Sequence, residues 1–235
     1  MEINLILLQV IAHLLSDFIF QPQSWSDKKD GKVFTLIHLN HALVVGIVSY
    51  LLSFDFGFWK AAILLTVIHL LIDMLKSWLI LKSITKYYFF LDQFIHLVSI
   101  VGIVLVYSNF CQINFIFNLD TKTIAIITGF ISCAKPSNII IKYLFKAFSI
   151  ETPKDNPNNP DELGLPNAGK LIGIVERFLA FTLIIMGQYE AVGLVIAAKS
   201  ILRLNGTQKS EYVLVGTLIS FSIAIFLGII INLIK

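Results

Sequence analysis

Charge is scarce in this chain. Only 14% of its 235 residues are Asp, Glu, Lys or Arg, while 57% are hydrophobic and the mean hydropathy is +0.82. A soluble globular domain carries ~25% charged residues, so a large soluble domain is excluded. Cysteine is nearly absent. Cys111 and Cys133 stand far apart and form no C-x-x-C, which excludes a disulfide framework and a thiolate metal site. No basic patch interleaved with aromatics is present, so nothing marks a nucleic-acid reader. The N-terminus MEINLILLQVIAHLL lacks a basic n-region and an A-x-A site, and is expected to be an uncleaved first span. Histidine is missing after residue 96.

Apolar runs fill most of the rest. They lie at about 3–20, 34–53, 59–76, 89–108, 121–147, 169–187, 190–204 and 212–234. A spanning helix needs roughly 20 mostly apolar residues. The expectation is an all-α polytopic membrane protein with about eight transmembrane helices, the seventh short enough to be re-entrant. Residues 109–120 read as a polar-aromatic loop, and 77–88 (SWLILKSITKYY) as an amphipathic helix in the interface plane. The Pro- and Asn-rich stretch 150–168 breaks helices. It divides a membrane bundle at 1–149 from a second membrane unit at 169–235.

Lysine and arginine set the orientation. With eight spans, thirteen of the 18 basic residues flank the loops on one side (among them Lys28, Lys29, Lys32, Lys82 and Lys86), while Lys60, Lys122 and Lys235 flank the other. The positive-inside rule puts the thirteen in the cytoplasm and both termini outside.

The polar residues that remain inside the spans are not scattered. All five histidines fall into His/Asp pairs at helical spacing: His13 with Asp17, His38 with His41, His69 with Asp73, and Asp92 with His96. Residues three or four apart share a helix face. Run through the topology, each pair sits roughly 5–12 Å from the cytoplasmic edge, at a rise of 1.5 Å per residue. An ionisable residue inside hydrocarbon is costly and marks a functional site. Imidazole and carboxylate together suit zinc, manganese or iron, and helical bundles build such sites from inward-facing side chains. Eight ligands are adequate for one or two divalent ions. A bound metal activates water, and a two-metal pair clamps the oxygens of phosphoester displacement. Asp17, Asp73 and Asp92 are the candidate general bases, with ligand and base not separable from sequence. A proton or cation relay and a structural ion-pair lattice remain alternatives. The one-sided clustering weighs against a relay, because the outer halves of these spans are almost wholly apolar.

Gln21, Lys76 and Gln93 adjoin the set as candidate substrate contacts, since a lysine beside a metal holds phosphate-like anions. Lys28, Lys29 and Lys32 read as topology signals. In the second unit, Glu176, Lys199 and Arg203 form a polar group, read either as a structural ion pair or as an anion-binding wall. Small residues (Gly173, Gly193, Ala197, Ala198) would let its helices approach closely. Lys135-Pro136 predicts a kink.

AHLLSDFIFQPQ, IHLNHALV, IHLLIDMLK and LDQFIH, in this order and spacing, resemble the bacterial membrane family known as domain of unknown function 3307. GKLIGIVERFLAF, AAKSILRL and KSEYVLVGTLIS resemble the C-terminal extension that many members carry. The resemblance implies a membrane bundle and no settled activity. The chemistry of the residues leads to a metal-dependent hydrolase of the bacterial cytoplasmic membrane, acting from the inner face on a phosphoester or lipid-linked substrate. A proton- or metal-coupled transporter and a non-catalytic membrane partner subunit are the alternatives. Substrate, metal number and oligomeric state are not readable from the sequence.

Overall fold

The computed structural model describes residues 1–30, 32–117, 120–150, 168–203 and 210–234. Among the described residues the fold is all helix: α1 (Glu2–Leu14), α2 (Gln23–Asp30), α3 (Leu36–Ser53), α4 (Trp59–Leu81), α5 (Tyr88–Phe110), α6 (Thr121–Cys133), α7 (Lys135–Ala147), α8 (Ala168–Ile185), α9 (Tyr189–Arg203) and α10 (Ser210–Leu233). Among the described residues five helical stretches are long and apolar enough to cross a membrane: Glu2–Ile19, Leu36–Ser53, Phe56–Leu81, Tyr88–Phe110 and Val213–Leu233. The bent pair α6–α7 makes a sixth if it counts as one span. The other two expected spans differ for plain reasons: α8 carries Lys170, Glu176 and Arg177, and α9 has only 15 residues.

The chain forms two compact units, Met1–Thr128 and Gly129–Lys235, so most of the fifth apolar run belongs to the second unit and not to the first bundle. The expected divider at 150–168 lies almost wholly outside the described residues. Residues 77–81 continue α4 and 82–87 are turns, so no separate interfacial helix forms there. The loop after the first span, which carries Lys28 and Lys29, holds α2.

In the first unit α1, α3, α4 and α5 close a ring, with α1 touching α3 and α5, and α4 touching α3 and α5. Its outward faces are apolar: Ile47 is 59% exposed, Leu71 58% and Phe94 65%. Its interior holds all five histidines, none more than 5% exposed. That polarity is inverted relative to a water-soluble protein and fits a lipid surround. One end of the ring is closed by Leu5, Phe58, Ala62, Leu65, Ile103 and Val104. At the same end buried Asp55 accepts hydrogen bonds from the Tyr107 hydroxyl (2.9 Å) and from the backbone N–H groups of Gly57 (2.9 Å) and Asn114 (3.3 Å), which ties the α3–α4 turn to the segment after α5. Gly46 lets α3 approach α4: a Cβ there would lie 2.0 Å from Thr66 Oγ1. After Leu14, α1 widens into one π turn over Leu15–Ile19. Such turns are rare and concentrate at functional sites.

The second unit packs α8 against α10, α9 and α7, with α7 also on α10. The kink expected at Lys135-Pro136 is a break at Ala134 that turns the chain by 48°. Proline begins the new helix, where its missing N–H costs nothing. The carbonyls orphaned at the end of α6 are met by Arg177 of α8, which is 1% exposed. Its Nε donates to Cys133 O at 2.7 Å, and Nη2 to Ala134 O at 3.3 Å and Asn138 Oδ1 at 2.7 Å. Nη1 donates to Ser220 Oγ at 2.9 Å. A cation beside a helix C-terminus is also favoured by the helix dipole.

Candidate metal centre

The ring places its polar residues in two tiers. In α1 and α4 the histidine precedes the aspartate by four residues, and in α5 the order is reversed. Because neighbouring helices in the ring run oppositely, His13, His41, His69 and His96 share one level. Asp17, Asp73 and Asp92 share the next, about 6 Å away at the helical rise and on the side covered by α2. The π turn carries Asp17 into this group.

The tightest cluster is Asp17, His41 and His69. Asp17 Oδ1 lies 3.3 Å from His41 Nε2 and 3.4 Å from His69 Nε2, and the two nitrogens are 3.0 Å apart. Ligands held 2.0–2.2 Å from a tetrahedral ion sit ~3.3–3.6 Å from each other; the two edges to Asp17 match one face of such a polyhedron, and the shorter 3.0 Å edge is that of a hydrogen bond between the two rings. Asp73 Oδ2 stands at a fourth corner, 3.8 Å from His41 Nε2 and 3.9 Å from His69 Nε2. Two further triads have ligand atoms within 4.8 Å of one another: His13, His69 and His96, and Asp73, Asp92 and His96. The His69 and His96 rings stack with centroids 4.1 Å apart.

Hydrogen bonding does not account for all of these groups. Buried His13 Nδ1, Asp17 Oδ1, Asp92 Oδ1 and His96 Nε2 have no hydrogen-bond partner of acceptable geometry. His96 Nε2 and Asp92 Oδ1 approach to 3.4 Å without being directed at one another. Buried polar atoms are nearly always paired. Lone pairs converging on a shared space suit a cation, although the His41 and His69 rings also lie in hydrogen-bond contact, one donating to the other, and the buried Ser16 hydroxyl is likewise unpartnered.

Two ammonium groups neutralise part of the charge. Lys76 Nζ pairs with Asp92 Oδ2 at 3.1 Å, where Gln93 Nε2 also donates at 3.0 Å. Gln93 Oε1 is 3.2 Å from His13 Nε2. Lys29, on α2, is 3% exposed and pairs with Asp73. With its amide turned to satisfy both ends, Gln21 accepts from Lys29 Nζ at 2.7 Å and donates to Asp17 O at 3.3 Å. Lys28 and Lys32 are exposed.

The sequence set is therefore largely brought together, with one member apart. His38 is fully buried, but its nitrogens are taken: Nδ1 is 2.9 Å from Thr35 Oγ1 and 3.1 Å from Thr35 N, and Nε2 is 3.0 Å from Ser77 Oγ. It completes a capping box on α3 and is in none of the three triads. In the second unit, Glu176 pairs with Lys199, one of the two basic partners the polar group offered, while the side chain of Arg203 lies outside the described residues. The residue that sequence reasoning missed is Lys29. Its only signal was proximity to Gln21, and a lysine in a loop beside a membrane span is ordinarily a topology signal.

Residues 5–124, just over half of the chain, match the family described as protein of unknown function (DUF3307). That stretch contains every residue of the three triads. Searches among curated proteins and solved structures give no match.

Proposed function

Because this chain belongs to the DUF3307 family, and the matched stretch carries the whole His/Asp centre, we propose that it is a membrane-embedded metal-dependent hydrolase. In this reading it works from the cytoplasmic face of a bacterial inner membrane on a phosphoester or lipid-linked substrate. All eight apolar segments cross, α8 and α9 included, and both termini are outside, as the distribution of Lys and Arg favours. The observation that carries the metal is the Asp17–His41–His69 face, with edges of 3.3, 3.4 and 3.0 Å.

Those three residues would hold one divalent ion, zinc, manganese or iron, with Asp73 completing the set. His96 would line a second position, either with His13 and His69 or with Asp73 and Asp92. A bound ion would supply a water activated near neutral pH, and the unpartnered nitrogen of His13 or His96, where it holds no ion, would take that water's proton and return one to the leaving oxygen. Lys76 contacts the substrate phosphate. The apolar closure by Leu5, Phe58, Ala62, Leu65 and Val104 supports a site open to one side over a transmembrane conduit.

The test is metal analysis of purified protein. At least one equivalent of tightly held transition metal is expected, lost in His69→Ala and in Asp17→Asn. Less than one equivalent, unchanged by either substitution, sinks the proposal.

A further inference from the structure

Two of the three carboxylates on the α2 side of the centre, Asp73 and Asp92, are already occupied by ammonium groups, and this bears on what else the site must hold. Asp17, Asp73 and Asp92 bring three negative charges, while Lys29 and Lys76 bring two positive ones. With neutral imidazoles, as ligation requires, one net negative charge remains. One dication reverses that sign.

The Asp73 oxygen nearest His41 and His69 is the one that Lys29 holds. An ion using that oxygen displaces the ammonium. Lys29 is 3% exposed, and a buried charge stripped of its partner is strongly unfavourable. Gln21 offers it a neutral acceptor but no countercharge. An anion arriving with the metal resolves the conflict: it meets Lys29, offsets the reversed charge and can bind the ion as well.

Resting on the metal reading above, we propose that the centre binds a divalent metal and a phosphate-monoester dianion as a coupled pair, with Lys29 exchanging Asp73 for the anion. Metal and phosphate then strengthen each other's binding, and Lys29 carries the coupling. Lys76, which donates to the same Asp92 oxygen as the Gln93 amide N–H, is a second contact for the same anion. The anion can be a free phosphate compound or the headgroup of a phosphatidic-acid-type lipid, because both present the same dianionic group.

The experiment is titration calorimetry of the full chain in detergent with Mn²⁺, with and without saturating inorganic phosphate, and again in micelles with and without phosphatidic acid. Phosphate or phosphatidic acid is expected to tighten Mn²⁺ binding at least about tenfold, with the reciprocal effect on the anion. Response to phosphatidic acid alone assigns the anion to a lipid headgroup, and response to inorganic phosphate assigns it to a small molecule. In Lys29→Met, Mn²⁺ binds more tightly than in wild type without any anion, and the anion adds little. Lys29→Arg keeps the coupling, since guanidinium also holds phosphate. If Lys29→Met does not fold, Lys29→Gln supplies the comparison. Mn²⁺ binding indifferent to both anions, or equally coupled in the uncharged variants, overturns the proposal while leaving the metal site intact. A wild-type protein that takes up no metal of any kind overturns the metal reading, and this proposal with it.

Discussion

Gly46→Ala is a mutation outside the centre that should damage it. A Cβ at this position would lie 2.0 Å from Thr66 Oγ1 and 3.3 Å from Thr66 Cβ. Ordinary contact begins near 3.4 Å, so the oxygen must yield by about 1.4 Å. Thr66 cannot rotate freely, because its hydroxyl donates to Ala62 O at 2.8 Å and its branched Cβ restricts χ1. The strain therefore pushes α3 from α4. His41 lies about one turn from Gly46, and His69 about one turn from Thr66. A separation of half the required shift takes the 3.0 Å gap between His41 Nε2 and His69 Nε2 to about 3.7 Å, and the full shift takes it well beyond the ~3.3–3.6 Å of a tetrahedral edge. Overpacking of this kind costs about 1–3 kcal/mol, and metal affinity should fall by roughly tenfold or more for each 1.4 kcal/mol of distortion passed to the site. Denaturant unfolding in detergent and competitive metal titration measure the two effects. The double variant Gly46→Ala, Thr66→Ala removes the clashing oxygen and should restore both. Wild-type stability and metal affinity in Gly46→Ala would refute the reasoning, as would damage that Thr66→Ala fails to repair.

Three further outcomes follow from the same geometry. His38→Ala should retain full metal stoichiometry while losing about 0.5–2 kcal/mol of stability, the range for a lost helix cap, measured by metal analysis alongside thermal unfolding. Arg177→Leu leaves buried carbonyls without donors, at about 1–3 kcal/mol each, and should destabilise the second unit without changing metal content in protein that still folds. Arg177→Lys should not rescue it, because one ammonium cannot reproduce the fork that meets Cys133, Ala134, Asn138 and Ser220. Asp92→Asn should spare the metal held by Asp17, His41 and His69 but lower turnover on an aryl phosphate more than it raises KM, because Asp92 orients Lys76 and His96. Equal loss of metal in this variant would move Asp92 into the ligand set.

The centre was legible in the sequence because the cost of polar groups in hydrocarbon leaves few of them, and those few carry helical spacing. The spacing also led to the expectation of a shared level, and His13, His41, His69 and His96 lie within reach of one another. Direction was less legible. His38 and His41 are three residues apart, which separates them by about 60° around the helix: enough for His41 to face His69 while His38 turns to Ser77 and Thr35. Lys29 was hidden for a different reason. It reaches the site from α2, whose sequence QSWSDKKD carries no apolar stripe, and its burial depends on a partner 44 positions away. The break at Lys135-Pro136 was foreseen, but the guanidinium that closes it comes from another helix, and pairing between helices is not written in local pattern. Glu176 was expected to pair with a basic residue of the next helix, Lys199 or Arg203, because opposite charges in apolar helices have few other options; the partner it meets is Lys199. The half of the ring away from α2 is not wholly apolar, since Gln9 and Ser49 bond each other there.

The π turn in α1 gives that helix two phases. A π turn holds one residue more than the α-helix around it, so it shifts the phase between the stripe of Leu5, Gln9 and His13 upstream and the buried Ser16 and Phe18 within it. Removing one residue between Leu15 and Ile19 would barely shorten the helix. It would rotate everything downstream by about 100°, moving Asp17 away from its present contacts with His41 and His69. This tract should therefore accept exchanges of its outward side chains far more readily than any change in its length.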